Sequence, residues 1–435
     1  MHGFHYQEGR LHCEEVDLEQ VAQEHGTPLY VYSAGTVLGH YRRLASALSE
    51  IDHLICYAVK ANSNRAILQL LAREGAGFDI VSGGELYRVI AAGGDPRLCT
   101  FAGVGKSREE IEYALEQGVF SFNVESEAEL AYINRIAAAR DAQAPIALRV
   151  NPDVEAGSHK YVSTGRSENK FGIALERIAA VYESAAGLSH IRIRGVQMHI
   201  GSQITEAQPF AEAIGKLAPV VRDLRARYGI EFLSIGGGMG ITYEAWFASG
   251  SGDWWSGGGN AREHKPLTIG AYAEAILPPL RVLGVRVLLE PGRLLVGNAG
   301  VLLTRVRYIK ETGQKKFLIV DAGMNDLIRP ALYQSYHEIV PVRQPADGAA
   351  GETVDVVGPV CESGDFFAQD RELPTLSEGE LAAIMSAGAY GFVMASNYNS
   401  RPLPAEVLVR GERATLVRER QTYEDLVRGE RGAEP

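Results

Sequence analysis

Several short stretches of this 435-residue chain hold residue types whose spacing suits covalent and anion-binding chemistry. In YAVKAN (57–62), Lys60 closes an apolar run that begins at Leu54. A lysine flanking a strand is ordinarily a solvated surface group. At the mouth of a barrel, desolvation and nearby cations would lower its pKa toward nucleophilic use. Such an amine forms a Schiff base with an aldehyde cofactor or with a carbonyl substrate, and the residues alone leave both open. In FLSIGGGMGI (232–241), Gly236, Gly237, Gly238 and Gly240 directly follow an apolar run. Glycines there either let the backbone approach an anion or simply make a tight turn. The run comes late and lacks a downstream acidic partner, so it is not a dinucleotide fingerprint. In EPGR (290–293), Glu290 facing a ring nitrogen would keep a pyridine protonated, and Arg293 has the fork that grips phosphate or carboxylate. His199, in MHIGSQI, either stacks on a planar ring or is a core histidine.

The elements that must position these residues are short apolar runs alternating with amphipathic helical stretches. The runs are ICYAV (55–59), FDIV (78–81), CTFA (99–102), FSFNV (120–124), IALRV (146–150), GVQMHI (195–200), FLSI (232–235) and VLLE (287–290). SREEIEYALEQG (107–118) and ESEAELAYINRIAAAR (125–140) repeat apolar positions at three- and four-residue spacing, which predicts helices. Ser107 with Glu110 reads as a capping box and Gly118 as a stop. Alternation of this kind implies parallel pairing, and eight units close a (β/α)8 barrel; an open doubly wound sheet is the alternative. Polar residues end nearly every run, among them Lys60, Ser82, Asn123, Asn151, His199 and Glu290, at the strand ends where barrel enzymes collect their chemistry. After Arg293 the pattern changes to consecutive strands: LLVGNAGVLLTRVRYIK, KKFLIVDAG, ETVDVVGPVCESGD, PLPAEVLVRG and ERATLVRER. These predict a C-terminal β domain, which TPLYVYS (27–33) would join. The expected division is residues 1–32 as an N-terminal contribution to the β domain, 33–285 as the barrel and 286–435 as the β domain. The Gly/Ser-rich 249–261 reads as a surface insertion.

The net charge of −11 argues against nucleic-acid or anionic-membrane partners. No apolar run approaches the ~20 residues needed to span a bilayer. Four scattered cysteines, without Cys-x-x-Cys, point away from a disulfide framework or a zinc site. The expectation is a reduced, cytoplasmic compartment and no metal.

YAVKAN, FDIVSGGEL (78–86), NKFGI (169–173), HIGSQI (199–204), the glycine run, EPGR and GPVCESGD (358–365) together resemble the fold type III pyridoxal-phosphate decarboxylases. HKYVSTGRSENKFGI (159–173) and VDAGMNDLIRPALY (320–333) look like the diaminopimelate decarboxylase branch, over about residues 27 to 410. The resemblance implies a barrel with a second β domain and pyridoxal 5'-phosphate held covalently by Lys60. Asp79 would lie near the cofactor, His199 would stack on its ring with Ser202 close by, and Glu290 would pair with the ring nitrogen. Gly236, Gly237 and Gly238 would bind the phosphate with Gly292 and Arg293, near Tyr390. Cys361 would reprotonate the substrate carbon. Arg293, Arg329, Tyr333, Glu362 and Tyr390 would bind substrate. The implied reaction is a carboxy-lyase step from meso-2,6-diaminopimelate to L-lysine, carried out by a homodimer that shares its active sites. Ornithine, arginine or carboxynorspermidine decarboxylation, and a non-catalytic homologue, are the alternatives.

Overall fold

The computed structural model describes residues 2–155, 171–250, 267–346 and 350–432. The chain divides into two units. One comprises Leu38–Ile241 and Pro266–Leu295; the other comprises Met1–Val37, Thr242–Lys265 and Val296–Pro435.

The first unit is a closed parallel barrel. Its strands are β1 (His53–Ala58), β2 (Gly77–Ile80), β3 (Cys99–Phe101), β4 (Ser121–Val124), β5 (Ala144–Asn151), β6 (Ile191–Met198), β7 (Phe232–Ser234) and β8 (Arg286–Leu289). Each pairs with the next, and β8 pairs with β1 at Val287↔His53, Leu288↔Leu54 and Leu289↔Ile55. That last ladder closes the cylinder and rules out an open doubly wound sheet. The eight apolar runs read from the sequence are these eight strands. β8 lies beyond residue 285, so the barrel continues past the division expected there.

Local signals act as their chemistry dictates. Ser107 and Glu110 form a reciprocal capping box on the helix Arg108–Gln117, which Gly118 ends in the left-handed conformation. Toward the N-terminal ends of the strands, Leu54, Cys56, Phe120, Ala147, Phe232 and Leu288 form a packed cluster, with the Phe120 and Phe232 rings 5.1 Å apart. Gly195 is required there, because a Cβ would lie 2.6 Å from the Phe232 ring. This apolar plug fills one end of the cylinder and leaves chemistry to the other.

The second unit is mostly sheet. Its strand order is Phe366–Pro374, Gly351–Val357, Lys316–Val320, Gly300–Glu311, Leu29–Ser33, Ala405–Arg410, Arg413–Arg418. The N-terminal strand Leu29–Ser33 lies between two C-terminal ones, antiparallel to Gly300–Glu311 and parallel to Ala405–Arg410. Leu29, Val31, Val301, Leu303, Ala383, Val407 and Val409 pack in its core. Sequence and structure differ at LLVGNAG. Arg293–Val296 is a helical turn, Gly297–Ala299 is 3-10, and the strand begins only at Gly300. Leu295 and Val296 are both fully buried, and a short apolar run carries no period that tells helix from strand. Most of 159–173, and 251–261 of the proposed insertion, lie outside the described residues. Among the described residues, no helix is long and apolar enough to cross a membrane.

Candidate active site

Lys60 sits in a 3-10 turn, Val59–Ala61, at the carboxyl end of β1. Its Nζ donates to Asp79 Oδ2 on β2 at 2.9 Å. The lysine side chain remains 41% exposed while Asp79 is 1% exposed, so the amine stands reachable above a buried carboxylate. The second oxygen, Asp79 Oδ1, is buried and has no hydrogen-bond partner among the described residues.

Glu290 follows β8 and is buried. Its carboxylate accepts from Ser234 Oγ at 2.7 Å, Gln197 Nε2 at 3.0 Å and Asn123 Nδ2 at 3.3 Å. These three donors lie at the carboxyl ends of β7, β6 and β4, and all are neutral. Burial pushes the Glu290 carboxyl up to about 7, and the negative charge of Asp79 adds to this; Lys60 and the donors only partly oppose it. Glu85, beside Asp79 and Lys60, is likewise pushed up to about 7 by burial, against the hydrogen bond it accepts from Val81 N–H.

The glycine run is a turn that only glycine can make. Gly236 and Gly238 have φ of +69° and +102°. A Cβ on Gly237 would stand 2.2 Å from the Glu290 carbonyl oxygen. The Gly236 amide donates to Ser234 Oγ at 3.3 Å and the Gly237 amide to His199 Nδ1 at 3.2 Å. Of the three, only the Gly238 amide lacks a partner among the described residues. Because Nδ1 accepts, a neutral His199 carries its proton on Nε2. Loss of hydration holds that imidazole well below its ordinary pKa, helped by the positive charges of Arg149 and Lys60. The HIGSQI loop is stitched to the glycine loop by Ile204 N–H to Gly238 O at 2.9 Å and Gly240 N–H to Ile204 O at 2.9 Å. Arg293 Nη2 donates to Ser202 Oγ at 3.0 Å. Gly292 lies against β1, where a Cβ would meet Ala61 Cβ at 2.9 Å.

The barrel unit thus gathers Lys60, Asp79, His199, Ser202, Gly236–Gly238, Glu290, Gly292 and Arg293 at the carboxyl ends of its strands. The residues expected from the second unit form three local groups. Arg329 is buried over the Tyr243 and Tyr333 rings, 5.2 and 5.9 Å from their centroids. Cys361 and Glu362 are exposed on one loop, which Asp365 braces by accepting from Met324 and Val360 N–H, each at 2.6 Å. Cys361 N–H donates to Asn399 Oδ1 at 2.8 Å, and Tyr398 donates its hydroxyl to Glu362 Oε2 at 2.8 Å. Tyr390 sits in the left-handed region at φ +56°, a strained position for a bulky residue.

The residues present fit pyridoxal phosphate. A reachable amine is paired with a buried carboxylate that keeps one oxygen unpartnered. A second carboxyl retains its proton unusually well, and one glycine amide stands uncommitted. The family model for the pyridoxal binding domain of pyridoxal-dependent decarboxylases matches residues 34–297. A diaminopimelate decarboxylase from Pseudomonas aeruginosa is 51% identical over 431 residues, covering 99% of both chains. The chain belongs to the diaminopimelate decarboxylase family. Two solved members share its fold. The Helicobacter pylori diaminopimelate decarboxylase complexed with L-lysine is 39% identical with a TM-score of 0.87, covering 95% of this chain and 98% of that one. The M. jannaschii diaminopimelate decarboxylase in co-complex with L-lysine is 36% identical with a TM-score of 0.90, covering 100% and 99%. Pyridoxal phosphate is the cofactor of this family of decarboxylases, and the matched segment contains the whole rim constellation.

Four residues of the site escaped the sequence reading. Gln197 and Ser234 are polar residues inside apolar runs, a signal that marks inward-facing barrel positions. Arg149, inside IALRV, carried the same signal, and Glu85 carried none. Arg149 is buried at the end of β5 and paired with Glu125 at 3.0 and 3.1 Å.

Proposed function

We propose that the chain is a cytoplasmic carboxy-lyase that converts meso-2,6-diaminopimelate to L-lysine and carbon dioxide, the last step of lysine biosynthesis. It works as a homodimer with shared active sites. The observation that carries the reading is the rim constellation: the Lys60 amine held by Asp79, beside a Glu290 carboxyl fixed by three neutral donors. Pyridoxal phosphate, when bound, supplies an aldehyde that condenses with amines and a ring that withdraws the electron pair left by a departing carboxylate.

The chain's own residues do the rest. Lys60 would hold the cofactor through its amine, and Asp79 fixes the lysine at the rim. Glu290 keeps a proton on the ring nitrogen, and a charge partner there stabilises its ionised form. His199, held neutral, would stack on the ring without adding positive charge. The Gly238 amide, Gly292, Arg293, Ser202 and Tyr390 hold the phosphate, and Gly236 and Gly237 shape the turn that presents it. Cys361 delivers a proton to the carbon that has lost its carboxylate. Glu362 takes the far amine of the substrate, and Arg293, Arg329, Tyr333 and Tyr390 its far carboxylate.

The test is lysine and carbon dioxide release by the reconstituted protein, from meso-2,6-diaminopimelate and from ornithine, arginine and carboxynorspermidine in parallel. Lysine with one equivalent of carbon dioxide is expected from the first, and no carbon dioxide from the other three. Lys60→Ala is expected to abolish both turnover and the visible absorbance of the bound cofactor. A reconstituted wild type that releases no lysine from meso-2,6-diaminopimelate overturns the proposal.

A further inference from the structure

We infer that His337 is a positioning residue that locks the guanidinium of Arg329, and so sets the preference for a substrate with a carboxylate at its far end. The inference rests on the role proposed above for Arg329. Arg329 opens the short helix Arg329–Tyr333 and is buried. Its Nε donates to His337 Nε2 at 3.4 Å, and its Nη2 donates to Ser335 Oγ at 3.2 Å. His337 is fully buried, and its Nδ1 lies 2.7 Å from the Met385 carbonyl oxygen.

These contacts leave one protonation state. A carbonyl only accepts, so Nδ1 carries a proton; a guanidinium only donates, so Nε2 is bare. His337 is therefore the neutral Nδ1–H tautomer, bridging a backbone carbonyl to the arginine.

Further contacts brace the mount. Arg371 Nη1 donates to the His337 carbonyl at 3.1 Å, and Met385 N–H donates to Glu338 O at 2.8 Å. Tyr243 stands edge-on to the imidazole, with centroids 5.2 Å apart, and also lies under the guanidinium. A carboxylate binds a guanidinium best in its plane, through two parallel hydrogen bonds. Fixing Nε fixes that plane before the substrate arrives, and orientation held in advance is not lost on binding.

Two variants separate this role from simple packing. His337→Asn keeps a donor near the Nδ1 position for Met385 O but ends short of Arg329. His337→Gln carries an amide oxygen to the Nε2 position. On the reconstituted enzyme, H337N is expected to weaken L-lysine binding about tenfold by calorimetry, the size of one charge-assisted hydrogen bond. Cadaverine, the same chain without its carboxylate, should bind unchanged. KM for meso-2,6-diaminopimelate should rise by a similar factor with kcat within about threefold, and H337Q should recover most of the loss. Should H337N fail to fold, H337L fills the space without an acceptor and carries the same expected outcome. Equal losses for L-lysine and cadaverine, or equal behaviour of the Asn and Gln variants, overturn the inference. The ligand-binding comparison needs no turnover. A wild type that binds L-lysine through this mount yet releases none from meso-2,6-diaminopimelate would therefore sink the function and leave the role of His337 standing.

Discussion

Glu290→Gln in the apoprotein is expected to remove a pH-dependent loss of stability. The Glu290 carboxyl is pushed from 4.5 up to about 7 by burial and by the charge of Asp79. Below 4.5 it is protonated in folded and unfolded chains alike, and it costs nothing. Between 4.5 and about 7 the unfolded chain sheds the proton while the folded chain keeps it, so stability falls as pH rises. Above about 7 the cost is constant, at about 3 kcal/mol in full, of which about 2 kcal/mol falls between pH 5 and pH 8. The substituted amide would keep a carbonyl for Ser234 and Asn123 and has no proton to shed. Glu85 and Asp326 are also raised to about 7, but both remain in the variant and cancel in the difference. The assay is urea unfolding of apo wild type and E290Q at pH 5 and pH 8. The variant should gain on the wild type by about 2 kcal/mol between the two conditions. Parallel pH profiles would refute the reasoning, because the Glu290 carboxyl would then titrate alike in both states.

Gly237→Ala would force a methyl to within 2.2 Å of the Glu290 carbonyl oxygen, so the apoprotein should lose more than about 2 kcal/mol in urea unfolding. It should also shed cofactor on dialysis that the wild type survives. Among the four cysteines only Cys361 is exposed, so brief iodoacetamide treatment should alkylate that residue alone by peptide mapping and abolish lysine release. If sites are shared between protomers, mixing inactive Lys60→Ala and Cys361→Ala chains should restore about a quarter of wild-type activity through mixed dimers; no recovery after subunit exchange would argue for self-contained sites. Lys106→Met leaves Glu129 buried without the cation that sits 2.6 Å away, and should cost about 3–5 kcal/mol by denaturation. Pairing it with Glu129→Leu should cost less than the single change.

Much of the barrel was legible because a strand covered on both faces must be continuously apolar, and a helix outside it must repeat at three and four. The capping box at Ser107 and the strand-ending positions of Lys60, His199 and Glu290 could be read for the same local reasons. The convergence of three donors on Glu290 could not. Asn123, Gln197 and Ser234 are separated by dozens of residues, and only closure of the cylinder points them at one carboxylate. From its residues the glycine run fits either an anion cradle or a tight turn. The structure commits two of its three amides to Ser234 and His199, a detail that depends on how two neighbouring loops are stitched. His337 lies eight residues from Arg329, with no motif of its own; the turn after the short helix brings its ring to the guanidinium.

What the sequence determined by itself was the kind of chemistry and the kind of scaffold. Residue type dictates which groups can form imines, carry protons or grip carboxylates, and apolar periodicity dictates which segments can be buried. Only the tertiary structure decided the charge states and orientations of those groups. The proton affinity of Glu290, the tautomers of His199 and His337 and the plane of Arg329 arise from desolvation and from donors and acceptors remote in the chain. Those energies depend on distance through space and on exclusion of water, and neither is written into the order of residues.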